Sequence, residues 1–234
     1  MLTRLPDQVW WIPLTGVNAY LVKQGEELTL VDTGLPLHAD RIERAIVAVG
    51  ESFGAIDRVL LTHYDVDHVG GLGRLSSIDA PVYVGSADRP YVVGNRKPCI
   101  HSQKGLFQRA VHWWCTPPTQ QVIPVDDGDT VGDFTAYSAP GHTPGHTVFA
   151  NESIGVAFLG DLVIEWKGAF RPAPWFICED HDRLKADILD LVERLPRFSI
   201  GCPGHGVPFV EGGDERLADC ASRIRNSVEV KSTG

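Results

Sequence analysis

The sequence predicts an α/β protein in which two β-sheets pack face to face with helices on the outside. Two observations predict it. The N-terminal part opens as strand, helix, strand, and from Phe134 the chain changes to closely spaced strands and turns before it ends in helices. A third observation points to chemistry: apolar strands in both parts run into short loops that carry His and Asp.

Taken in order, LTLVDT at 28–33 alternates loosely and stops at Gly34, which reads as a buried strand and a turn. From Ala39 to Val49 the positions Ile42, Ala45, Ile46 and Val49 recur at helical spacing. RVLLT at 58–62 is a second strand. Gly70, Gly71 and Gly73 with Leu72 and Leu75 predict a short helix lying close against its sheet, and APVYVG at 80–85 a third strand. Residues 86–124 lose periodicity and carry Pro90, Pro98, Pro117 and Pro118 beside Trp113 and Trp114, as a lid or insertion would. FTAYSAP, TVFANES and VAFLGD then read as strands, with the turn GHTPGH after the first. The clearest helix covers about 181–195, with Leu184, Ile188, Leu191, Val192 and Leu195 on one face and Pro196 as its stop. RFSIGCP is a last strand, and a helical tail spans about 215–228. A single domain over 1–234 is expected.

At 234 residues, 43% hydrophobic and 22% charged, the chain can bury a substantial core. Its net charge of −9 argues against a nucleic-acid or anionic-membrane partner and for a small-molecule substrate, with a homodimer left open. No stretch reaches the roughly 18 apolar residues of a membrane span. The N-terminal MLTRLPDQVWWIP places Pro6 and Asp7 where a signal peptide needs an apolar run, so a cytoplasmic location is expected. The five cysteines, Cys99, Cys115, Cys178, Cys202 and Cys220, never fall as CxxC and read as free thiols.

The chemistry concentrates in LTHYDVDHVGG. Side chains at the end of a strand alternate, so His63 and Asp65 face one side, and Asp67 and His68 can reach the same volume from the turn that follows. PGHTPGH offers His142 and His146, FLGD offers Asp161, and PGHG offers His205. His63, Asp65, Asp67, His68, His142, Asp161 and His205 together suffice for two divalent metal ions that share a carboxylate. Zinc is the first choice, with manganese or iron as alternatives that carboxylate ligands favour.

THYDVDH, PGHTPGH, FLGD and PGHG, in that order and spacing, resemble the metallo-β-lactamase fold superfamily, and NAYLV at 18–22 and VDTG at 31–34 resemble its opening strands. The resemblance covers about residues 15–210. It implies a four-layer αββα sandwich with the site at the sheet edge between the two halves. It also implies one metal on His63, residue 65 and His142, a second on Asp67, His68 and His205, and Asp161 as the bridge, with Asp67 and Asp161 the catalytic carboxylates. Asp65 departs from the pattern, because most hydrolytic members carry histidine there; an anion in place of imidazole is expected to lower the charge of the site by one and to favour harder metals.

The implied activity is that of a glyoxalase-II-like or lactonase-like hydrolase of a lactone, ester or thioester. In it, metals lower the pKa of a shared water to about 7 to give a hydroxide nucleophile, and Asp161 or a freed water protonates the leaving group. No basic run follows residue 210 for a glutathione-type anion, and the aromatic stretches at 106–115 and 166–176 predict an apolar pocket. The alternative is a non-haem iron redox enzyme, either a persulfide dioxygenase or of the diiron oxygen-reducing type, the latter carrying glutamate at the position of Asp65. A nuclease rests on the fold alone. Asp32, Thr62 and Thr143 are expected to orient ligand imidazoles, and His146 to hydrogen-bond rather than ligate. His38, His101, His112 and His181 are expected on the surface and Cys202 in the core. One of Trp10 and Trp11 is expected to be buried, and Tyr64 is left open as a pocket residue.

Overall fold

The computed structural model describes residues 2–98, 103–112 and 114–232. Cys99, His101 and Trp113 lie outside the described residues, as does the side chain of His112. The first sheet is built from β1 (Thr3–Arg4), β2 (Val9–Pro13), β3 (Asn18–Gln24), β4 (Glu27–Val31), β5 (Ile56–Leu61), β6 (Val82–Gly85) and β7 (Val122–Val125). These lie in sequence order, antiparallel from β1 to β4 and parallel from β4 to β7.

Parallel pairing of β4 and β5 requires a crossover, which α1 (Ala39–Ala48) supplies. It buries Ile42, Ala45 and Ile46 in one cluster with Leu21, Leu30 and Val59 of the sheet. The helix stops at Gly50, whose φ of +86° suits a residue without a Cβ. There the N–H groups of Gly50 and Glu51 return to the carbonyls of Val47 and Ile46 at 3.0 and 3.2 Å.

The 86–124 segment is more ordered than its sequence implies. After the single turn α2 (Val66–Val69), it contains α3 (Arg89–Val92) and α4 (Gln103–His112), and its last residues are β7 itself. The prolines hid this. Pro90 sits in the first turn of α3, where a missing N–H breaks no helical bond. Pro124 lies in a strand at the sheet edge, where an unpaired side tolerates it.

The second half contributes β8 (Thr130–Val131), β9 (Phe134–Ser138), β10 (Thr147–Asn151), β11 (Val156–Gly160), β12 (Val163–Trp166), β13 (Ala169–Pro172) and β14 (Ile200–Pro203). The second sheet runs β14-β11-β10-β9-β8, with β14 parallel to β11. β12 and β13 form a separate antiparallel hairpin over Val163–Pro172, turning at Lys167 and Gly168. Two helices follow, α5 (His181–Arg194) and α6 (Gly213–Ser232). Asp180 caps α5 by accepting the Arg183 N–H at 2.9 Å.

Strand parity assigns the layers. Val9, Tyr20, Val22, Val31 and Leu60 face Phe134, Ala136, Phe149, Phe158 and Ile200 between the sheets. On the far side of the second sheet, Leu184, Ile188, Leu191, Leu217 and Ile224 of the two helices cover Val148, Ala157 and Leu159. The order helix, sheet, sheet, helix is the αββα sandwich. Burying each such large aliphatic chain contributes roughly 1.5–3 kcal/mol. Trp10 and Trp11 do take opposite faces, but both stay half-buried, and Trp11 Nε1 donates to Asn18 Oδ1 at 2.7 Å. Among the described residues no helix is long and apolar enough to cross a membrane.

Candidate metal centre

Every candidate ligand lies just past the end of a strand. His63 and Asp65 follow β5 in extended chain, and Asp67 and His68 are on α2. His142 lies between β9 and β10, Asp161 directly after β11, and His205 after β14. The first sheet therefore supplies four of these residues and the second three.

The structure gathers their donor atoms into two groups, one of His63, His142 and Asp161 and one of Asp67, His68 and His205; within each group the atoms lie within 4.8 Å of one another. Asp161 reaches both, with Oδ1 3.3 Å from His68 Nε2 and Oδ2 3.5 Å from His142 Nε2 and 3.1 Å from His205 Nε2. Asp65 Oδ2 lies beside the first group, 2.9 Å from His142 Nε2 and 3.5 Å from His63 Nε2. Gly204 permits the close approach, since a Cβ there would collide with Asp161 Oδ1.

These residues fit metal ions. His63 Nε2, His68 Nε2, Asp65 Oδ1 and Asp161 Oδ1 are buried and have no hydrogen-bond partner among the described residues. Buried polar atoms are rarely left so, and cations in this volume would engage them.

The imidazoles are turned for ligation through Nε2. His68 Nδ1 donates to Asp32 Oδ2 at 2.8 Å. His63 Nδ1 donates to Thr62 Oγ1 at 3.0 Å, and that hydroxyl donates onward to Asp32 Oδ2 at 2.7 Å. His205 Nδ1 donates to the Gly16 carbonyl, and His142 Nδ1 faces the Cys178 sulfur at 3.9 Å. Asp32 thus orients two rings, as the sequence predicted, from a left-handed backbone at φ +57°. Thr143 does not orient a ring; its hydroxyl donates to Asp88 at 2.6 Å. His146 hydrogen-bonds as expected, its Nε2 accepting the Asp161 N–H at 3.1 Å.

Charge follows the same geometry. Burial opposes ionisation of Asp65, but Lys104 and the neighbouring imidazoles outweigh it and hold the carboxyl well below its usual range. Burial likewise opposes ionisation of Asp161, which His205 and His68 keep ionised. Burial lowers His63 and His142. It also acts against His205, yet the Asp161 carboxylate lifts that ring to about 9, and Asp161 and Asp32 raise His68.

Sequence reasoning missed three residues here. Lys104 Nζ lies 3.0 Å from Asp65 Oδ2 and donates to the His142 carbonyl at 2.7 Å, so the charge that Asp65 was expected to subtract is returned nearby. Gln108, one turn on, accepts the Val66 N–H at 3.1 Å. Asp88 accepts from the N–H groups of Tyr64 and Gly145 and from Thr143, and burial pushes it up to about 7. The first two are a lone lysine and a lone glutamine in a stretch without a ligand motif, which gave the sequence no signal for them. Tyr64 is no pocket residue: it is buried, stacked on Tyr91, with its hydroxyl donating to Glu179. His38 is buried rather than exposed, its Nδ1 accepting the Leu35 N–H, His181 is half-buried, and Cys202 is in the core.

Above the ligands opens a cavity of about 690 Å³ with Asp65, Asp67, Asp161 and His205 at its floor and Val17, Leu35, Val66, Val111, Trp114, Phe176 and Ile177 on its walls. Trp166 and Trp175 do not line it and are 60% and 62% exposed.

Sandwich, edge site and paired His/Asp groups define a metal-binding αββα protein. A family model described as the metallo-beta-lactamase superfamily matches residues 12–205, and the chain belongs to that superfamily, whose members are generally metal-dependent hydrolases. It is similar to the probable metallo-hydrolase YybB of Bacillus subtilis, 28% identical over 157 residues, or 67% of this chain and 66% of that protein. Its fold matches BJP-1, a subclass B3 metallo-β-lactamase of Bradyrhizobium japonicum, with TM-score 0.68 and 21% identity over 99% of this chain and 93% of the other. It also matches TTHA1623, solved in a di-iron-bound form, with TM-score 0.65 and 28% identity over 86% and 93% of the two chains.

Proposed function

We propose that the protein is a dinuclear metal-dependent hydrolase of a small carbonyl compound with an apolar substituent, a lactone, ester or thioester. The observation that carries this reading is the meeting of two His/Asp groups at a cavity whose walls, Lys104, Gln108 and Thr15 apart, are largely apolar. His63, His142 and Asp65 would hold one ion, Asp67, His68 and His205 the other, and Asp161 would face both. Two bound divalent ions supply a Lewis acid for the carbonyl oxygen and an acidified water.

The chain's own residues do the rest. The walls bind the hydrocarbon part of the substrate and keep bulk water from the floor. Asp67, with a third of its side chain exposed, presents its carboxylate to the cavity. Asp161, buried and held ionised, is suited to ligation rather than to the proton donation first expected of it.

The test is metal content of protein purified without added metal, followed by a screen of lactones, acyl esters and thioesters. About two zinc or manganese ions per chain and hydrolysis abolished by a chelator are expected; metal-free, inactive protein would sink the reading. The di-iron form of TTHA1623 favours a second reading, a non-haem iron redox enzyme. Bound iron with oxygen consumption in the presence of a thiol or persulfide, and no ester or lactone hydrolysis, would select it.

A further inference from the structure

Asp65 and Lys104 lie far apart in sequence and meet at the first ligand group. We infer that Lys104 is a positioning residue of the metal centre: its ammonium holds the Asp65 carboxylate beside His63 and His142 and cancels its charge, so that the pair stands where one neutral imidazole would. The inference rests on the two-metal reading above.

The geometry is specific. Lys104 Nζ lies 3.0 Å from Asp65 Oδ2, the same oxygen that lies 2.9 Å from His142 Nε2 and 3.5 Å from His63 Nε2. A second bond, 2.7 Å to the His142 carbonyl, ties the ammonium to the other ligand loop. The Lys104 side chain is only 2% exposed, and a buried ammonium requires a partner of opposite charge.

The helix that carries Lys104 is itself fixed to the ligand loop. Lys104 and Gln108 are four residues apart, so they share a face of α4. Gln108 accepts the N–H of Val66, the residue next to Asp65, while Lys104 takes the Asp65 side chain. The two contacts clamp the loop at adjacent residues. A carboxylate oxygen has lone pairs for both an ammonium and a metal, so the clamp leaves ligation open. Asp65 at −1 and Lys104 at +1 sum to the zero of an imidazole.

It follows that neither half of the pair can be changed alone without penalty. Asp65→His would put an imidazole where the carboxylate stands yet leave a buried ammonium facing a divalent cation. The experiment compares wild type, Asp65→His, Lys104→Met and the double variant. It reads zinc stoichiometry after gel filtration, zinc affinity by competition with a chromogenic chelator, and folding by circular dichroism. Asp65→His should bind zinc at least about tenfold more weakly than wild type, and adding Lys104→Met should recover most of that loss with an unchanged dichroism spectrum. Should Asp65→His fail to fold, Asp65→Asn with and without Lys104→Met gives the same comparison. Equal affinities for single and double variants would overturn the inference while leaving the metal centre intact. A wild-type protein that takes up no zinc, manganese or iron would overturn both.

Discussion

Asp32 is the residue on which the orientation of the site turns. It takes three hydrogen bonds, from Thr62 N–H, Thr62 Oγ1 and His68 Nδ1, and through Thr62 it also fixes His63. Asp32→Asn tolerates the left-handed backbone and keeps the bond from Thr62 N–H, but its amide nitrogen cannot accept from His68. We expect a folded protein whose zinc affinity falls about 10- to 100-fold in chelator competition; unchanged affinity would remove Asp32 from the ligand-orienting role. The histidines make a second prediction. His205 is lifted to about 9 by the Asp161 carboxylate and His68 is raised as well, and a ligand nitrogen must shed its proton to bind. Raised pKa values mean that the proton competes below them, so apparent zinc affinity should climb as pH rises toward about 9. Calorimetry in two buffers of different ionisation heat should register proton release, and identical heats would contradict the assignment. The seven ligand candidates were legible in the sequence because histidines and aspartates stood together after apolar runs. Lys104 was not, since one lysine in an aperiodic segment carries no mark of the carboxylate it meets.

At the scale of elements, the site depends on how its loops are tied together. Asp88, between β6 and α3, joins the loop after β5 to the loop before β10 through Tyr64 N–H, Thr143 Oγ1 and Gly145 N–H. Asp88→Ala would leave these three donors buried without an acceptor, and each such group costs about 1–3 kcal/mol. The expected loss is about 3 kcal/mol or more in urea denaturation, together with weaker metal retention because both ligand loops are released. A loss below about 1 kcal/mol would mean that water replaces the carboxylate. The elements the sequence showed well were those with a clean period: α1, α5 and the central strands. Those it hid were β7 and the β12–β13 hairpin, where proline and glycine sit at an edge or a turn that tolerates them, and α4, whose buried face includes Lys104 and Gln108 rather than an apolar stripe.

For the whole molecule, the two sheets supply the ligands and the segments outside them supply the walls. Val111 and Trp114 come from the end of α4 and just beyond it, and Phe176 and Ile177 from the turn before α5, so the cavity mouth is formed by parts of the chain remote in sequence. A wall of this kind distinguishes substrates by hydrocarbon area, at about 0.8 kcal/mol for each CH₂ it removes from water, or roughly a fourfold change per methylene. In a series of lactones or acyl esters differing only in chain length, kcat/KM should therefore rise several-fold per added methylene until the cavity is filled. Phe176 is half-exposed at the rim in the free protein, so a chain that reaches it covers aromatic surface otherwise left in water. Phe176→Ala should flatten the rise for the longer members and leave the shortest, which would reach only the polar floor, nearly unchanged. If both proteins treated short and long chains alike, the apolar walls would have no part in selection, and the polar floor alone would set what this protein accepts.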